Sequence, residues 1–210
     1  MELKELAAMV QKGRAKQVQE LVQQAIGEKI EPEKILNEGM ISAMSEIGDK
    51  FKAGEIYVPE MLIAARAMAA GLKILEPVLV SAGVKKIGKA VLGTVHGDLH
   101  DIGKNLVGML MTGAGIEVCD IGVDVPAATF IDKAEEIGAD LICISALLTT
   151  TMPEMKVIMD ELNNRGVRDK YKVMIGGAPV NDDFRISIGA DYYTADAASA
   201  AQVAKQILTA

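Results

Sequence analysis

The sequence is poor in the residues that mark secreted and membrane-spanning proteins. Among 210 residues there is no tryptophan, aromatic residues make up 3%, and only two residues are cysteine. Cys119 and Cys143 both lie in apolar runs, so we expect buried, reduced thiols of a cytoplasmic protein rather than a disulfide framework. We expect no membrane span, because every apolar run is too short, and no signal peptide, because the start Met1–Leu6 is charged and amphipathic.

Basic residues are also fewer than acidic residues. Lysine and arginine number 22 against 29 acidic residues, which gives a formal net charge of −7 and a pI near 5.0. This balance argues against a nucleic-acid partner and against an anionic membrane surface. Half of the residues are hydrophobic, so a chain of this length can form a substantial core in one large domain or two small ones.

Histidine is equally scarce, and both copies lie in one short stretch. His96 and His100 fall within Gly93–Asn105, which follows the apolar run Ala90–Val95 and precedes the amphipathic run Ile102–Met111. This order predicts a strand, a tight turn and a helix. The turn would lie at the carboxyl end of a strand, where open α/β sheets bind their ligands.

The first part of the chain, residues 1–85, has only helical periodicity. Breaks at Gly13, at residues 28–32 and at residues 54–59 divide it into four helices, which predicts a small four-helix bundle with Pro59 in the first turn of the last helix. We interpret Pro77–Gly88 as a linker. The apolar positions at helical spacing are Leu3, Leu6, Ala7, Val10, Val18, Leu21, Val22, Ile26, Ile35, Met40, Met44, Ile47, Met61, Ala64, Met68, Leu72 and Leu75.

The second part, residues 86–210, alternates short β-rich runs with helical ones. Five such units predict a Rossmann-like, flavodoxin-like parallel sheet with helices on both faces and the strand order 2-1-3-4-5. The predicted strands are Ala90–Val95, Ile116–Ile121, Asp140–Ser145, Lys172–Ile175 and Asp191–Tyr193. The predicted helices are Ile102–Thr112, Ala127–Ile137, Met152–Arg165, Asp182–Ile188 and Ala197–Leu208.

The histidine turn lacks the patterns of several common sites. Gly93–Gly103 does not supply a dinucleotide fingerprint, and Gly103-Lys104-Asn105 lacks the hydroxyl of a P-loop. Two histidines and two buried cysteines are too few for an ordinary zinc site. What remains is His100 with Asp98 two residues earlier, an arrangement that suits a single axial metal ligand whose other ring nitrogen donates to the carboxylate.

Several residues in and after the predicted strand ends have an ordinary structural interpretation. His96 is typical of a solvated turn residue, and Gly177 could simply end a strand. Asp101 is expected to cap the helix that begins at Ile102, and the hydroxyl of Thr151 could cap the helix that follows it.

Three motifs in order resemble the cobalamin-binding proteins of the methionine-synthase type. They are Asp98-Leu-His100-Asp-Ile-Gly103, Ser145-Ala-Leu147 and Gly176-Gly177, each at a predicted strand end. The helical part is similar to the cap domain of the same family in Gly48-Asp-Lys-Phe51, Gly54-Glu-Ile-Tyr-Val58-Pro59 and Ala65-Arg66-x-Met68. The resemblance covers nearly the whole chain and is nearest to the small corrinoid proteins of methyltransferase systems.

The resemblance implies a bound cobalamin or related cobamide whose own lower base is displaced from cobalt. His100 would be the lower axial cobalt ligand, Asp98 would hydrogen-bond it, and Thr151, where many relatives have serine, would continue this relay; His96 receives no ligand role. The displaced nucleotide tail would enter a slot lined by Ser145, Leu147, Gly176 and Gly177. The full implied cofactor-binding set is Gly97, Asp98, Leu99, His100, Asp101, Ile102, Gly103, Ser145, Leu147, Thr149, Thr151, Gly176 and Gly177, with Phe51, Val58 and Met61 over the upper face of the corrin.

The implied function is transport of a methyl group on cobalt. A substrate-specific methyltransferase would supply it from a methylamine, methanol or a methoxylated aromatic, and a second methyltransferase would pass it to tetrahydrofolate or coenzyme M, with a reductive activator as a further partner. The cap would move on a hinge at Ser81–Gly88. The alternatives are a cobalamin-dependent regulatory sensor, the cobalamin subunit of a radical mutase, and a flavodoxin-like domain without a cobamide.

Overall fold

The chain divides into two compact units in a computed structural model that describes residues 3–83 and 86–210. One unit comprises Met1–Lys86 together with Gly113–Gly115, and the other comprises Ile87–Thr112 and Ile116–Ala210. We call them the helical unit and the sheet unit. The observed division lies after Lys86, one residue beyond the predicted division at residue 85, and Gly113–Gly115 group with the helical unit although they follow it in sequence.

The helical unit is built from amphipathic helices whose apolar stripes meet in a core. The helices are α1 (Leu3–Gln11), α2 (Ala15–Gly27), α3 (Pro32–Lys34), α4 (Ser42–Lys52) and α5 (Val58–Ser81). A π-helical segment, Ile35–Ile41, joins α3 to α4 without a break, so the described residues form the four continuous helical stretches that we predicted. Apolar spacing did not reveal the π-helical segment. The predicted positions that are buried include Leu6, Val10, Val18, Val22, Met40, Met44, Ile47, Met61, Ala64, Met68 and Leu75.

The predicted linker at Pro77–Gly88 is wrong at its beginning. Helix α5 continues through Pro77 to Ser81, although proline cannot donate the backbone hydrogen bond of a helix interior. Leu75 and Leu79, on either side of Pro77, are buried, and we attribute the continued helix to that burial. The predicted hinge at Ser81–Gly88 includes residues 84 and 85, which lie outside the described residues.

The sheet unit contains a five-stranded, wholly parallel sheet. Its strands are β1 (Lys89–Thr94), β2 (Glu117–Asp120), β3 (Leu141–Ser145), β4 (Lys172–Gly176) and β5 (Tyr192–Tyr193), and their order is β2-β1-β3-β4-β5. The predicted order is confirmed, and each predicted strand ends within one residue of the observed one. The connecting helices are α6 (Ile102–Gly113), α7 (Ala127–Ile137), α8 (Pro153–Asn164), α9 (Asp182–Ile188) and α10 (Ala197–Thr209), with a short 3₁₀ turn at Arg168–Lys170.

The two faces of the sheet have different roles. On one face, alternate strand residues such as Val91, Ile142 and Val173 pack with Phe130 of α7 and Ile158 of α8 in a dense apolar core. The opposite face carries the neighbouring residues of the same strands and is covered by α6 and α10. Because the strands are parallel, all of their carboxyl ends lie at one edge, and the loops after β1 and β3 meet there at the switch in strand order.

The two cysteines differ in burial. Both cysteines are free, and Cys143 in the central strand β3 is buried as expected. Cys119 is only partly buried, which corrects the prediction, because β2 is an edge strand.

No helix within residues 3–83 and 86–210 is long and apolar enough to cross a membrane.

We expect the substitution Pro77→Ala to stabilise the protein by about 1–2 kcal/mol. Alanine restores a backbone donor inside α5 and removes the clash of the proline ring with the preceding turn, and this gain exceeds the loss of proline's rigidity in the unfolded chain. Urea unfolding followed by circular dichroism measures the change. Pro59→Ala is the matched control, because Pro59 is in the first helical turn, where no donor is needed. Equal effects of the two substitutions would contradict this account of Pro77.

Candidate functional site

The loop after β1 is fixed by backbone and side-chain hydrogen bonds at both of its ends. The Asp98 N–H donates to Val95 O (3.2 Å), and Gly97 between them has a positive φ of 78°. The Thr94 hydroxyl, at the end of β1, donates to the carbonyl of His100 (2.9 Å). The loop therefore turns sharply at Gly97 and returns to the strand end, which fixes the backbone at His100.

Asp98 is the buried centre of this loop. Its side chain has no exposed surface, and each of its two carboxylate oxygens accepts two hydrogen bonds. Oδ1 accepts from the backbone N–H of His100 (3.0 Å) and from its ring Nδ1 (2.7 Å). Oδ2 accepts from the backbone N–H of Leu147 (2.8 Å) and from the hydroxyl of Thr151 (2.8 Å). Asp98 thus joins the loop after β1 to the loop after β3.

These contacts decide the charge of Asp98. Burial by itself raises the pKa of a carboxyl group, but the backbone N–H groups of Leu147 and His100, the imidazole and the Thr151 hydroxyl together hold the pKa of Asp98 well below its usual range. The carboxylate is therefore ionised at neutral pH and places a full negative charge beside Nδ1 of His100.

His100 presents its other ring nitrogen as a free ligand. With Nδ1 donating to Asp98, the neutral ring has its lone pair on Nε2, and the side chain is 49% exposed. The carboxylate fixes the orientation of the ring. Among the described residues no group of three or more His, Cys, Asp and Glu side chains could hold a metal ion. His100 is therefore suited to bind a metal whose remaining ligands belong to a cofactor.

The surface around His100 is apolar. Leu99 and Ile102 are 72% and 79% exposed, and Leu147 and Leu148 are each 41% exposed. Large exposed aliphatic side chains grouped around one polar ligand are typical of a site for a bulky, largely apolar group. The sequence motifs indicated Leu99, Ile102 and Leu147; Leu148, which follows the Ser-x-Leu motif, was missed.

A cavity of about 430 Å³, which we call the slot, opens beside His100 between the sheet and helices α6 and α10. Nine of the predicted site residues line it: Leu99, His100, Asp101, Ile102, Gly103, Ser145, Leu147, Gly176 and Gly177. The lining residues that sequence reasoning missed include Leu92, Lys104, Val107, Cys143, Met174, Ala178, Thr194, Asp196 and Ala200. These residues lie within strands and helices or beyond them, and only the tertiary fold brings them to one cavity.

The glycine pair is required by close approach of backbone. Gly177 has a φ of 138°, and a Cβ there would lie 1.8 Å from the carbonyl oxygen of Ala146. A Cβ on Gly176 would lie 3.2 Å from the carbonyl oxygen of Thr194. Gly177 therefore allows β4 to end tightly against the loop after β3, which agrees with its ordinary structural interpretation as the end of a strand.

Three further predicted residues, Thr151, Asp101 and Thr149, differ from one another in their contacts. Thr151 hydrogen-bonds Asp98 as the relay requires, and α8 has Met152 at its N-cap with no side-chain cap, so the interpretation of Thr151 as a helix cap is wrong. Asp101 accepts from the side-chain amide of Asn105 (3.0 Å). Thr149 is exposed and does not contribute to the slot lining.

The three predicted cap residues belong to the helical unit. Met61 is fully buried, Phe51 at the end of α4 is partly buried, and Val58 at the start of α5 is 39% exposed. Their coverage of a corrin's upper face stays a prediction.

Asp124 is a positioning residue that the sequence did not reveal. Its Oδ1 accepts from the backbone N–H of Gly97 (2.7 Å) and lies 2.7 Å from Nδ1 of His96, while its own N–H donates to Asp98 O (3.0 Å). The Gly97 N–H bond, which outweighs partial burial, and His96 lower the pKa of Asp124. This explains His96 as a partner of Asp124 and agrees with its exclusion as a ligand.

The fold and this geometry define a class of protein: a doubly wound α/β domain with one oriented histidine and an adjoining slot at the switch point of a parallel sheet. Sequence comparison identifies the class further. Residues 88–204 match the family profile described as B12 binding domain, and residues 2–76 match a second profile of the same description. The chain belongs to this family of B12 binding domains.

Relatives match over the whole chain. The dimethylamine corrinoid protein of Methanosarcina barkeri is 43% identical over 98% of this chain and 97% of its own. A cobalamin-binding protein of Desulfitobacterium hafniense DCB-2 has a similar structure, with a TM-score of 0.82, 29% identity and coverage of 99% and 98% of the two chains. A chain of the methanol:cobalamin methyltransferase complex MtaBC from Methanosarcina barkeri gives a TM-score of 0.86 at 30% identity, over 97% of this chain and 78% of the other.

We expect Asp98→Asn to destabilise the protein without cofactor by about 2–3 kcal/mol at neutral pH, because an amide cannot accept all four hydrogen bonds and leaves buried donors unpaired. The pKa of Asp98 is lower in the folded than in the unfolded chain, so its contribution is complete above about pH 4 and decreases at lower pH. Urea unfolding at a series of pH values should show the difference between wild type and variant narrowing below about pH 4.

Asp101→Asn is the matched control, since Asp101 is an exposed carboxylate three residues away that bonds only a neighbouring side chain in the described network. We expect a change below about 0.5 kcal/mol. If both variants show the same loss and the same pH dependence, Asp98 does not have the role assigned to it.

Proposed function

We propose that this protein carries a methyl group on the cobalt of a bound cobamide between two methyltransferases. The observation that supports this most directly is the free Nε2 of His100 at the mouth of the slot, with Nδ1 held by the buried Asp98 carboxylate. A methyl carrier needs a cobalt ligand of fixed orientation and a place for the displaced tail of the cofactor, and both lie side by side here.

The residues of the sheet unit fit a cobamide. His100 would hold cobalt from below, the aliphatic side chains around it would contact the corrin, and the slot would receive the nucleotide tail. Gly176 and Gly177 line the slot and present no side chain to that tail. The bound cobamide supplies the organometallic chemistry of methyl transfer, whereas the protein positions and tunes it.

Asp98 and Thr151 act on the cobalt only through His100. The ionised carboxylate accepts a hydrogen bond from Nδ1 and so fixes the tautomer that leaves the lone pair on Nε2. The Thr151 hydroxyl and the Leu147 N–H hold the second carboxylate oxygen, so the plane of the carboxylate is fixed. Asp98 and Thr151 are therefore positioning residues for the ligand.

The relatives support methylamines or methanol as the source of the methyl group, with a substrate-specific methyltransferase as the partner that delivers it. A second methyltransferase acting on tetrahydrofolate or coenzyme M, and a reductive activator, complete the proposed system. Phe51, Val58 and Met61 of the helical unit are proposed to cover the upper face of the bound corrin and to move aside for a partner. Whole-chain similarity to corrinoid proteins supports a carrier over the regulatory sensor. A cytoplasmic location is part of the proposal.

We expect the wild-type protein, reconstituted with methylcobalamin, to show an absorption spectrum in which histidine replaces the cofactor's own base on cobalt. His100→Ala should lose this spectrum, because it removes the only Nε2 placed beside the slot in the described sheet unit. Ultraviolet–visible spectroscopy, with histidine-nitrogen coupling measured by electron paramagnetic resonance in the Co(II) state, distinguishes the two forms.

His96→Ala is the control for loss of an imidazole from the same loop. Since His96 contacts Asp124 and is absent from the slot lining, its removal should leave the histidine-ligated spectrum in place. A His100→Ala protein with an unchanged spectrum would refute cobalt ligation by His100.

The carrier role predicts turnover with two kinds of partner. Protein loaded with reduced cobamide should be methylated by a methyltransferase specific for methanol or a methylamine, and the methylated protein should be demethylated by a second methyltransferase with coenzyme M or tetrahydrofolate. Both steps are followed by the change in corrin absorbance. Binding of the cobamide without transfer in either direction, across these donors and acceptors, would favour the sensor.

A further inference from the structure

The slot changes in chemical character with depth. Strand register defines two layers on its sheet side, because residues paired between parallel strands point to the same face. The upper layer, at the carboxyl ends of β3 and β4, is Ser145 paired with Gly176. Two residues earlier, the lower layer is Leu92 paired with Cys143, which is paired in turn with Met174.

The helical side of the slot shows the same gradient. Helices α6 and α10 both start at the carboxyl edge of the sheet and run back along it, so later residues lie deeper. Lys104 in the first turn of α6 is followed by Val107, and Asp196 at the N-cap of α10 is followed by Ala200. We therefore distinguish a mouth with polar side chains, Asp101, Lys104, Ser145, Thr194 and Asp196, from a floor with hydrocarbon and sulfur, Leu92, Val107, Cys143, Met174 and Ala200.

The floor offers little to a polar ligand. Leu92, Cys143, Met174 and Ala200 are each 3% exposed or less, and the backbone groups of the three strands are used by pairing within the sheet. Burial raises the pKa of the Cys143 thiol, so it is neutral and at most a weak hydrogen-bond donor. A polar atom brought to this depth loses its water without a strong replacement.

The covalent order of a cobamide decides which of its parts reaches the floor. The tail leaves the corrin and continues through phosphate and ribose to the base, which is its terminal group. With cobalt bound by His100 at the mouth, as proposed above, the corrin would stay outside the slot. The phosphate and ribose would then lie among the polar side chains of the mouth, and the base would lie at the floor.

We propose that the floor of the slot selects cobamides with an apolar lower base, of the benzimidazole or phenol class, over those with a purine. This inference rests on the proposed cobamide function and adds the class of cofactor to it. Adenine carries an exocyclic amine and several ring nitrogens that water satisfies in solution and that Leu92, Cys143 and Met174 leave unsatisfied. A dimethylbenzimidazole has one ring nitrogen acceptor, and its methyl groups suit the aliphatic and thioether side chains.

The test compares binding of three corrinoids to the full-length protein by equilibrium dialysis, with corrin absorbance as the measure. They are cobalamin with its dimethylbenzimidazole, the cobamide with adenine as lower base, and cobinamide, which lacks the nucleotide. We expect cobalamin to bind about tenfold or more tightly than the adenine form, and cobinamide to bind more weakly than cobalamin. Equal or tighter binding of the adenine form overturns the proposal.

A pair of variants at Cys143 separates floor polarity from the cost of displacing each base from cobalt. That cost is a property of the free cobamide, so it cancels when the ratio of the two affinities is compared between wild type and variant. Cys143→Ser adds a hydroxyl to the floor and should shift the ratio toward the adenine form by several-fold. Cys143→Ala changes the volume without adding a strong hydrogen-bonding group and should not. A ratio that is unchanged by serine, or changed equally by alanine, counts against the proposal; the wild-type comparison stands even if a variant fails to fold.

Failure of this inference differs from failure of the proposed function. If no corrinoid binds, cobinamide included, the cobamide function itself is wrong. If cobinamide binds as tightly as cobalamin and with a histidine-ligated spectrum, cofactor binding stands while occupation of the slot by the nucleotide base is overturned.

Discussion

The site depends on one buried carboxylate. Asp98 lies at the switch in strand order and accepts hydrogen bonds from groups on two loops, those after β1 and β3. An unpaired charge at this depth would be strongly destabilising, so the two loops are compatible with folding only in the arrangement that satisfies it. The four bonds stabilise the charge, and the two that come from His100 also orient its ring. The arrangement that stabilises the charge therefore also positions the histidine.

The parallel sheet places the ligand and the slot next to each other. Its core face, with Val91, Ile142 and Val173, is closely packed and anchors the strands. The other face is covered by α6 and α10, and the slot lies between these helices and the sheet, where Gly176 and Ala200 have no bulky side chain. The slot is thus a gap between layers at the carboxyl edge, while the dense apolar core of the unit lies on the opposite face.

Much of this arrangement could be predicted from the sequence. Strand and helix periodicity gave the β-α alternation and its order. Three short motifs indicated His100, Asp98 and the glycine pair, and the family resemblance indicated Thr151. Predictions failed where local patterns compete with tertiary burial. Pro77 marks a helix end by local chemistry, but α5 continues through it between buried leucines. Cys119 lies in an apolar run, but its strand is at the edge of the sheet. Asp124 has no motif, and only the loop geometry brings it to Gly97 and His96.

The sequence by itself determined the pairing of His100 with Asp98 and the glycines at the end of β4, because these features are set by short spacing along the chain. Only the tertiary structure decided the shape and polarity of the slot. Leu92, Cys143, Met174 and Ala200 are distant in sequence and unremarkable as core residues, and the strand register and the course of α6 and α10 bring them to a common floor. A cavity is a property of how separate elements pack, and no single segment encodes it.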